Sequence, residues 1–226
     1  MPPVRLHPCP EEFPLLYLPE TNLETALTLM SAIDGRSHFT AGRTRAVARI
    51  ATALAEPLGC TEGDLQRLQW ACIYYDLGML SVPEHVILKP GTLGPTELQQ
   101  LRGHVHLSLQ LLADSPAPVP IADLVAAHHE RYDGGGYPRG LRGYDLPLLA
   151  NILNAADTLV ALASDRPHRR GFDAAAIAEI IRAERGRQFY PHIVDAFENL
   201  DLAALLPERS AVQPVFEARQ IHIAAG

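Results

Sequence analysis

Two adjacent histidines, His128 and His129, open the stretch of this sequence that is best suited to chemistry. Imidazole nitrogens are the commonest metal ligands that proteins offer. Residues 133–143, which follow closely, contain five glycines and Pro138. Glycine allows positive φ and close backbone approach, and proline stiffens a turn. The pattern therefore predicts a pair of strong metal ligands at the mouth of a tight loop.

Apolar residues recur at helical spacing along most of the chain, which predicts the helices that must position this loop. The histidine pair itself ends an apolar helical pattern that begins at Ile121. Thr61 with Asp64 favours a capping box at one helix start, and Asp173 favours an N-cap at another. The predicted helices cover residues 22–34, 40–58, 61–76, 95–112, 121–129, 147–162, 174–184 and 191–206, with Gly- and Pro-rich loops at 78–95 and 115–120.

The two ends of the chain differ from this helical region. Residues 1–21 are rich in proline, which excludes a regular helix and predicts an extended lead-in with a short strand near 15–18. Residues 207–226 alternate apolar and polar side chains, a pattern that fits a short strand able to pair with the lead-in. The predicted fold is all-α, with a helical domain at 22–206 and a short β pairing of the ends left open.

Charge and cysteine content limit the class of protein. The formal net charge of -7 and the pI near 5.8 argue against a DNA-binding or anionic-membrane-binding protein, which needs a basic face. A small anion in a local basic pocket remains compatible with this charge. Cys9, Cys60 and Cys72 are scattered, so neither a disulfide framework nor a zinc knuckle is indicated. With no membrane-length apolar run and no signal peptide pattern, we expect a soluble, cytoplasmic protein.

Residues 128–143 resemble the signature of the HD-GYP family, because the pattern HHExxDGxGYPxGLxG is matched letter for letter. The segment Ile-Leu-Lys-Pro-Gly-Thr-Leu at 87–93 is also similar to the ILxKPGxLT connector of that family. Members of the family mostly hydrolyse the bacterial second messenger cyclic di-GMP with metal ions. The resemblance covers about residues 22–200 and implies the all-α helical bundle of the HD superfamily.

The family's functional residues can be carried over to matching positions. The resemblance implies five metal ligands: Asp76, His104, His128, His129 and Asp157. Asp76 would bridge the metal ions in an active enzyme. The resemblance also implies that Tyr137 contacts the nucleotide and that Arg166 and Arg169 contact phosphate, since residues 164–169 resemble the family's SDRPYR segment.

Three positions depart from the family pattern, and all belong to the first half of the metal site. Arg43 and Tyr75 stand where the family has histidines, and Met79 stands where it has a lysine that holds phosphate. Arginine stays protonated and tyrosine titrates near 10, so neither suits a divalent ion. We expect the Arg43 guanidinium to lie between Asp76 and Asp157 as a fixed replacement for the first metal ion.

The second metal ion would keep Asp76, His104, His128 and His129. Three nitrogens and one oxygen suit Fe, Mn, Zn or Ni, so we expect one divalent transition metal or none, and not a full di-metal centre.

The leading interpretation is a degenerate HD-GYP protein of cyclic di-GMP signalling, with little or no hydrolysis. It would bind cyclic di-GMP, a related guanine nucleotide or a signalling protein through the Gly-Tyr-Pro loop. The alternative is an active metal-dependent phosphodiesterase that yields pGpG or GMP, with Glu130, His38 or another side chain recruited as a ligand. A third interpretation is a dimerisation or docking scaffold, and a homodimer is the base-rate expectation.

Overall fold

The computed structural model describes residues 42–114, 117, 119–165 and 170–205, of Ala203 only the backbone, and the isolated helical residues Thr28, Ser31 and Asp34. Arg166, Arg169 and the predicted strands at both ends of the chain lie outside these residues.

The described residues are helical, and their order is as follows. The α-helices are α1 Arg43–Ala55, α2 Glu62–Tyr74, α3 Glu84–Ile87, α4 Pro95–Arg102, α5 His104–Asp114, α6 Ala122–Ala127, α7 Leu148–Ala163, α8 Ala174–Ala183, α9 Pro191–Phe197 and α10 Leu202–Leu205. Short 3₁₀ helices lie at Leu77–Ser81 and Gly143–Asp145. Within the described ranges the only β pairing is two isolated bridges, Asp133 with Arg142 and Arg185 with Phe189. The all-α prediction is confirmed.

Two of the predicted helix starts carry the expected caps. At the start of α2, Thr61 Oγ1 accepts from the Asp64 amide at 3.2 Å, and Asp64 Oδ2 accepts from the Thr61 amide at 3.0 Å. At the start of α8, Asp173 Oδ1 accepts from the Ala176 amide at 2.9 Å. These bonds satisfy backbone donors that have no partner inside the helix.

Several predicted boundaries were wrong. The helix expected from Pro95 to Leu112 is interrupted at Gly103, a poor helix former, which separates α4 from α5 although its own dihedrals stay helical. The helix expected at 191–206 is divided into α9 and α10, and the Asp201 side chain caps the second piece by accepting from the Ala204 amide. The loop expected at 78–95 contains a 3₁₀ turn and α3.

Helix α7 forms the centre of the core. Ile152, Leu153 and Ala156 on this helix are fully buried, and α7 packs against α1, α2 and α6. Burial of such a helix removes apolar surface from water and fixes the direction of its remaining side chains. Among these are Asn154 and Asp157, which point to the candidate site.

A glycine brings the residues that follow α2 against α5. A Cβ on Gly78 would collide with the His104 carbonyl oxygen, so this close approach requires glycine. The Gly78 amide donates to Ser108 Oγ at 2.8 Å, and Ser108 Oγ donates to the Tyr75 carbonyl at 2.8 Å. The segment with Tyr75 and Asp76 is thereby held beside His104. Among the helices that the structure describes, none is both long and apolar enough to cross a membrane.

Candidate functional site

Three histidine side chains converge at the ends of α5 and α6. His104 is the first residue of α5, and His128 and His129 directly follow α6. Nε2 of His104 lies 3.3 Å from Nε2 of His128 and 3.2 Å from Nε2 of His129. One nitrogen from each ring lies within 4.8 Å of the others, which is close enough for all three to hold one metal ion.

Backbone carbonyls set the orientation of two of these rings. Nδ1 of His104 is 2.6 Å from the Leu101 carbonyl oxygen, and Nδ1 of His128 is 2.7 Å from that of Val125. A carbonyl can only accept, so each Nδ1 carries the hydrogen and each Nε2 of a neutral ring presents a lone pair. Burial lowers the pKa of His128 to about 4 and lowers that of His129 well below its usual value. Lone pairs that face each other at this distance fit a bound cation.

Asp76 lies beside the histidines. Its Oδ1 is 3.5 Å from Nε2 of His104. Burial and the charge of Asp157 raise the pKa of Asp76, while His104 and Arg43 act in the opposite direction. The three histidines and Asp76 fit a single divalent ion, with the nitrogen-rich ligand set that transition metals prefer.

The other aspartate of the predicted ligand set is engaged by the protein itself. Nη2 of Arg43 donates to Asp157 Oδ1 at 2.6 Å, and the Tyr75 hydroxyl donates to the same oxygen at 2.6 Å. Only 12% of the Arg43 side chain and 17% of the Asp157 side chain are exposed. Arg43 and Tyr75 do not fit a metal ion, because a protonated guanidinium and a phenol hydroxyl offer it no ligand, and both donate to the same oxygen of Asp157.

Both donors stay protonated in this environment. Burial, the largest single influence, lowers the pKa of Arg43, but Asp157, Tyr75 and Asp76 together outweigh it and raise that pKa above its usual value. Burial raises the pKa of Tyr75 well above its usual value. The predicted guanidinium between Asp76 and Asp157 is wrong in one respect: within the described residues Arg43 pairs with Asp157 and forms no ion pair with Asp76. Asp76 lies towards His104 instead.

A cavity of about 360 Å³ opens beside the histidines. The Tyr137 ring stacks on His129 with a centroid distance of 4.7 Å and an interplanar angle of 20°. The Arg102 guanidinium carbon lies 4.8 Å from the Tyr137 centroid. The lining residues are Arg102, His128, His129, Arg131, Gly135, Gly136, Tyr137, Asn154, Asp157, Thr158, Ala161, Leu162 and Gln188.

Glu130 holds the glycine loop in shape. Its side chain is fully buried, and its two oxygens accept from the amides of Arg139 at 2.6 Å, Gly140 at 3.1 Å and Leu141 at 3.0 Å. Both oxygens are therefore committed to the loop, which contradicts the alternative that recruits Glu130 as a metal ligand. The other candidate of that alternative, His38, lies outside the described residues.

Sequence reasoning missed two residues of this site. Asn154 donates to the carbonyls of His128 at 2.7 Å and Glu130 at 3.1 Å, so it ties the histidine pair to α7. Asn154 could have been recognised in the sequence as a polar residue in an apolar helix. It stands three positions before Asp157 and thus on the same helix face. Arg102 lines the cavity, and its signal was a cation two positions before His104. Of the predicted substrate-binding residues, Tyr137 lines the cavity, while Arg166 and Arg169 are outside the described residues.

Comparisons with known proteins agree with the helical fold. The family model described as HD domain matches residues 28–193. A cyclic di-GMP phosphodiesterase response regulator of Xanthomonas campestris pv. campestris is 36% identical over 78% of this chain and 47% of its own length. A 3'3'-cGAMP-specific phosphodiesterase 2 of Vibrio cholerae is 30% identical over 84% of this chain and 38% of its own length. The chain thus spans less than half the length of these curated relatives.

A solved structure supports the fold. The crystal structure of a cyclic GMP-AMP specific phosphodiesterase of Vibrio cholerae has a TM-score of 0.61 and 16% identity, covering 80% of this chain and 50% of that one. The residues that the family model matches include Arg43, Asp76, His104 and Asp157. The chain belongs to the HD domain family and, with its complete Gly-Tyr-Pro signature at residues 128–143, to the HD-GYP members of that family.

Proposed function

We propose that this chain is a cyclic dinucleotide-binding module of cyclic di-GMP signalling that hydrolyses its ligand little or not at all. The observation that carries the proposal is the shared use of Asp157 Oδ1 by Arg43 and Tyr75, each at 2.6 Å. A buried cation and a hydroxyl together satisfy the carboxylate that would hold a first metal ion. The protein then offers ligands for one ion, not two.

Loss of one ion should be costly for hydrolysis of a phosphodiester. A bound divalent ion lowers the pKa of water and neutralises the charge that builds up on phosphate oxygens. Removing one strong electrostatic stabiliser from an active site commonly lowers the rate by a factor of about 10²–10³. The Met79 side chain cannot replace the phosphate-holding lysine that the family resemblance implies at this position, because a thioether carries no charge.

Binding does not need the missing ion. The cavity beside the histidines is lined by an aromatic ring, Tyr137, and by Arg102, which are the kinds of group that bases and phosphates bind. One divalent ion at Asp76, His104, His128 and His129 would add further positive charge. The curated relatives are named for cyclic di-GMP and for 3'3'-cGAMP, so we propose a cyclic dinucleotide as the ligand class.

An active phosphodiesterase is the second candidate. It is favoured by the names of the curated relatives and by the position of Asp76 beside three histidines. It would require Arg43 to leave Asp157 and another side chain to take its place at the ion. Glu130 is unsuitable because its oxygens accept three amide hydrogen bonds.

Binding and turnover should be measured on the same preparation. The chain is purified anaerobically without chelator, incubated with Fe²⁺ or Mn²⁺, and its metal content per chain is counted by mass spectrometry. Calorimetry gives the affinity for cyclic di-GMP, and chromatography follows release of pGpG or GMP. We expect one metal ion at most, measurable binding and negligible product. Two metal ions with rapid product release would establish the phosphodiesterase instead, and absence of binding would favour a protein-interaction role.

A further inference from the structure

We infer that Arg102 contacts the phosphodiester of the bound cyclic dinucleotide, because its guanidinium lies over Tyr137 in the cavity that the metal-site histidines line. The inference rests on the proposed function and names a residue that acts in it. No motif in the sequence marks this position as a ligand contact.

The charges around the cavity single out Arg102. Arg131, the other arginine among the lining residues, is committed to Asp133 at 3.0 Å and Glu184 at 2.8 Å. The charge of Asp157 is taken by Arg43. Within the part of the chain that the structure describes, Arg102 forms no ion pair. It therefore gives the described lining its uncompensated positive charge, in a protein whose formal net charge is -7.

The surroundings of Arg102 prepare it for phosphate. A guanidinium over an aromatic ring is held by cation–π attraction, which is strongest when its plane covers the ring face. Its N–H groups then point outwards in the guanidinium plane, where they can donate two parallel hydrogen bonds to phosphate oxygens. The same ring stacks on His129 at 4.7 Å. Arg102, Tyr137 and His129 thus form a continuous line from the proposed phosphate contact to the proposed metal ligands.

The break between α4 and α5 lies between Arg102 and His104, one of the proposed metal ligands. Arg102 is the last residue of α4 and His104 is the first residue of α5, with only Gly103 between them. An unbroken helix would separate these two residues by about 200° around its axis, on nearly opposite faces. In the structure Arg102 lines the cavity and His104 joins the histidine cluster beside it.

The inference is tested with matched variants of the full chain, each incubated with Mn²⁺. Arg102→Gln removes the charge but keeps a polar side chain of similar length. Arg102→Lys keeps the charge but loses the planar fork. Arg139→Gln is the control, because Arg139 is an exposed arginine of the glycine loop that does not line the cavity. Affinity for cyclic di-GMP is measured by calorimetry at low and at high sodium chloride concentration.

We expect Arg102→Gln to weaken binding by about tenfold to a hundredfold, which is the usual worth of a hydrogen bond to a charged group. Arg102→Lys should lie between this variant and the unaltered chain, and Arg139→Gln should bind within about twofold of the unaltered chain. Salt screens a direct charge contact, so the dependence of affinity on salt should become shallower in Arg102→Gln.

Two results would overturn the inference while leaving the proposed function intact. One is equal affinity of Arg102→Gln and Arg139→Gln. The other is weaker binding with an unchanged salt dependence, which would mean that Arg102 merely supports the Tyr137 ring. If the unaltered chain does not bind cyclic di-GMP, the proposed function itself fails, and the inference fails with it.

Discussion

The two sides of the candidate site, the histidine cluster and the Arg43–Asp157 pair, differ in how their buried polar groups are satisfied. On the histidine side, the Nε2 atoms of His104 and His128 lie 3.3 Å apart, and a metal ion from solution would bring them together as ligands. On the arginine side, Asp157 already has an internal cation, Arg43, and an internal hydroxyl donor, Tyr75. One scaffold thus carries an open half-site and a closed half-site.

Under the proposed loss of the first metal ion, Arg43 supplies the positive charge that balances Asp157. A carboxylate whose ion is simply deleted remains buried and unpaired, which costs several kcal/mol. Replacing a neutral histidine by arginine supplies a fixed positive charge in the same region. Under the proposed function, Arg43 therefore keeps the charge of Asp157 balanced at a position where the family resemblance implies a metal ligand.

The strongest test of this difference is to restore the family's residues at positions 43, 75 and 79 on the arginine side. We expect the combined variant Arg43→His, Tyr75→His, Met79→Lys to gain a second metal ion per chain and to hydrolyse cyclic di-GMP at a rate about 10²–10³ times that of the unaltered chain. Mass spectrometry gives the metal count and chromatography gives the rate. Arg45→His, on the exposed face of α1, is the matched control and should change neither value. Robust turnover before any substitution would sink the proposed loss of function.

The open half should fail when one of its ligands is removed. His104→Ala should weaken Mn²⁺ or Zn²⁺ binding by more than about a hundredfold, since even residues that only orient metal ligands contribute 10–100-fold. His106→Ala is the control. It removes an exposed histidine two positions further along α5 and should leave metal affinity unchanged. Metal titration of both variants, with circular dichroism to verify the fold, provides the measurement. Equal affinities would show that the metal ion is not held at the histidine cluster.

Arg43 should matter for stability even in a metal-free sample. Arg43→Leu leaves Asp157 without its cation, so we expect the free energy of unfolding in urea with chelator to fall by about 3 kcal/mol. Arg67→Leu is the contrasting control, because its pair with Asp123 is 30% and 50% exposed and should cost about 1 kcal/mol or less. Adding Asp157→Leu to Arg43→Leu should restore most of the loss. If both arginine variants lose the same amount, the closed half is no tighter than a surface ion pair.

The sequence predicted the parts of this structure that depend on near neighbours along the chain. The capping box of Thr61 and Asp64 and the N-cap at Asp173 involve residues three positions apart, so their residue types reveal them. The pairing of Arg43 with Asp157 was also predicted in outline. Both residues stand at positions of the family's first metal site, and their charges are opposite. The all-α class followed from apolar periodicity.

The break at Gly103 could not be predicted from the same signals. Apolar residues continue at helical spacing across it, and one glycine costs a helix only about 1 kcal/mol, which tertiary packing easily exceeds or offsets. The place of Arg102 in the cavity could not be predicted either, because its approach to Tyr137 is a contact between residues that are distant in the sequence. The hydrogen bonds from Asn154 to the carbonyls of His128 and Glu130 are likewise tertiary contacts.

The smallest expected change in stability distinguishes the two donors to Asp157, the Arg43 guanidinium and the Tyr75 hydroxyl. Tyr75→Phe keeps the buried ring against His128 but removes the hydroxyl that donates to Asp157. Because Arg43 still pairs with Asp157, we expect a loss of about 1 kcal/mol in the free energy of unfolding, typical of one hydrogen bond. Tyr144→Phe removes a hydroxyl from a side chain that is 84% exposed and should cost less than about 0.5 kcal/mol. A loss in Tyr75→Phe as large as that in Arg43→Leu would mean that the hydroxyl, and not the guanidinium, is the main partner of Asp157. The closed half would then depend on a hydrogen bond rather than on a replacement cation.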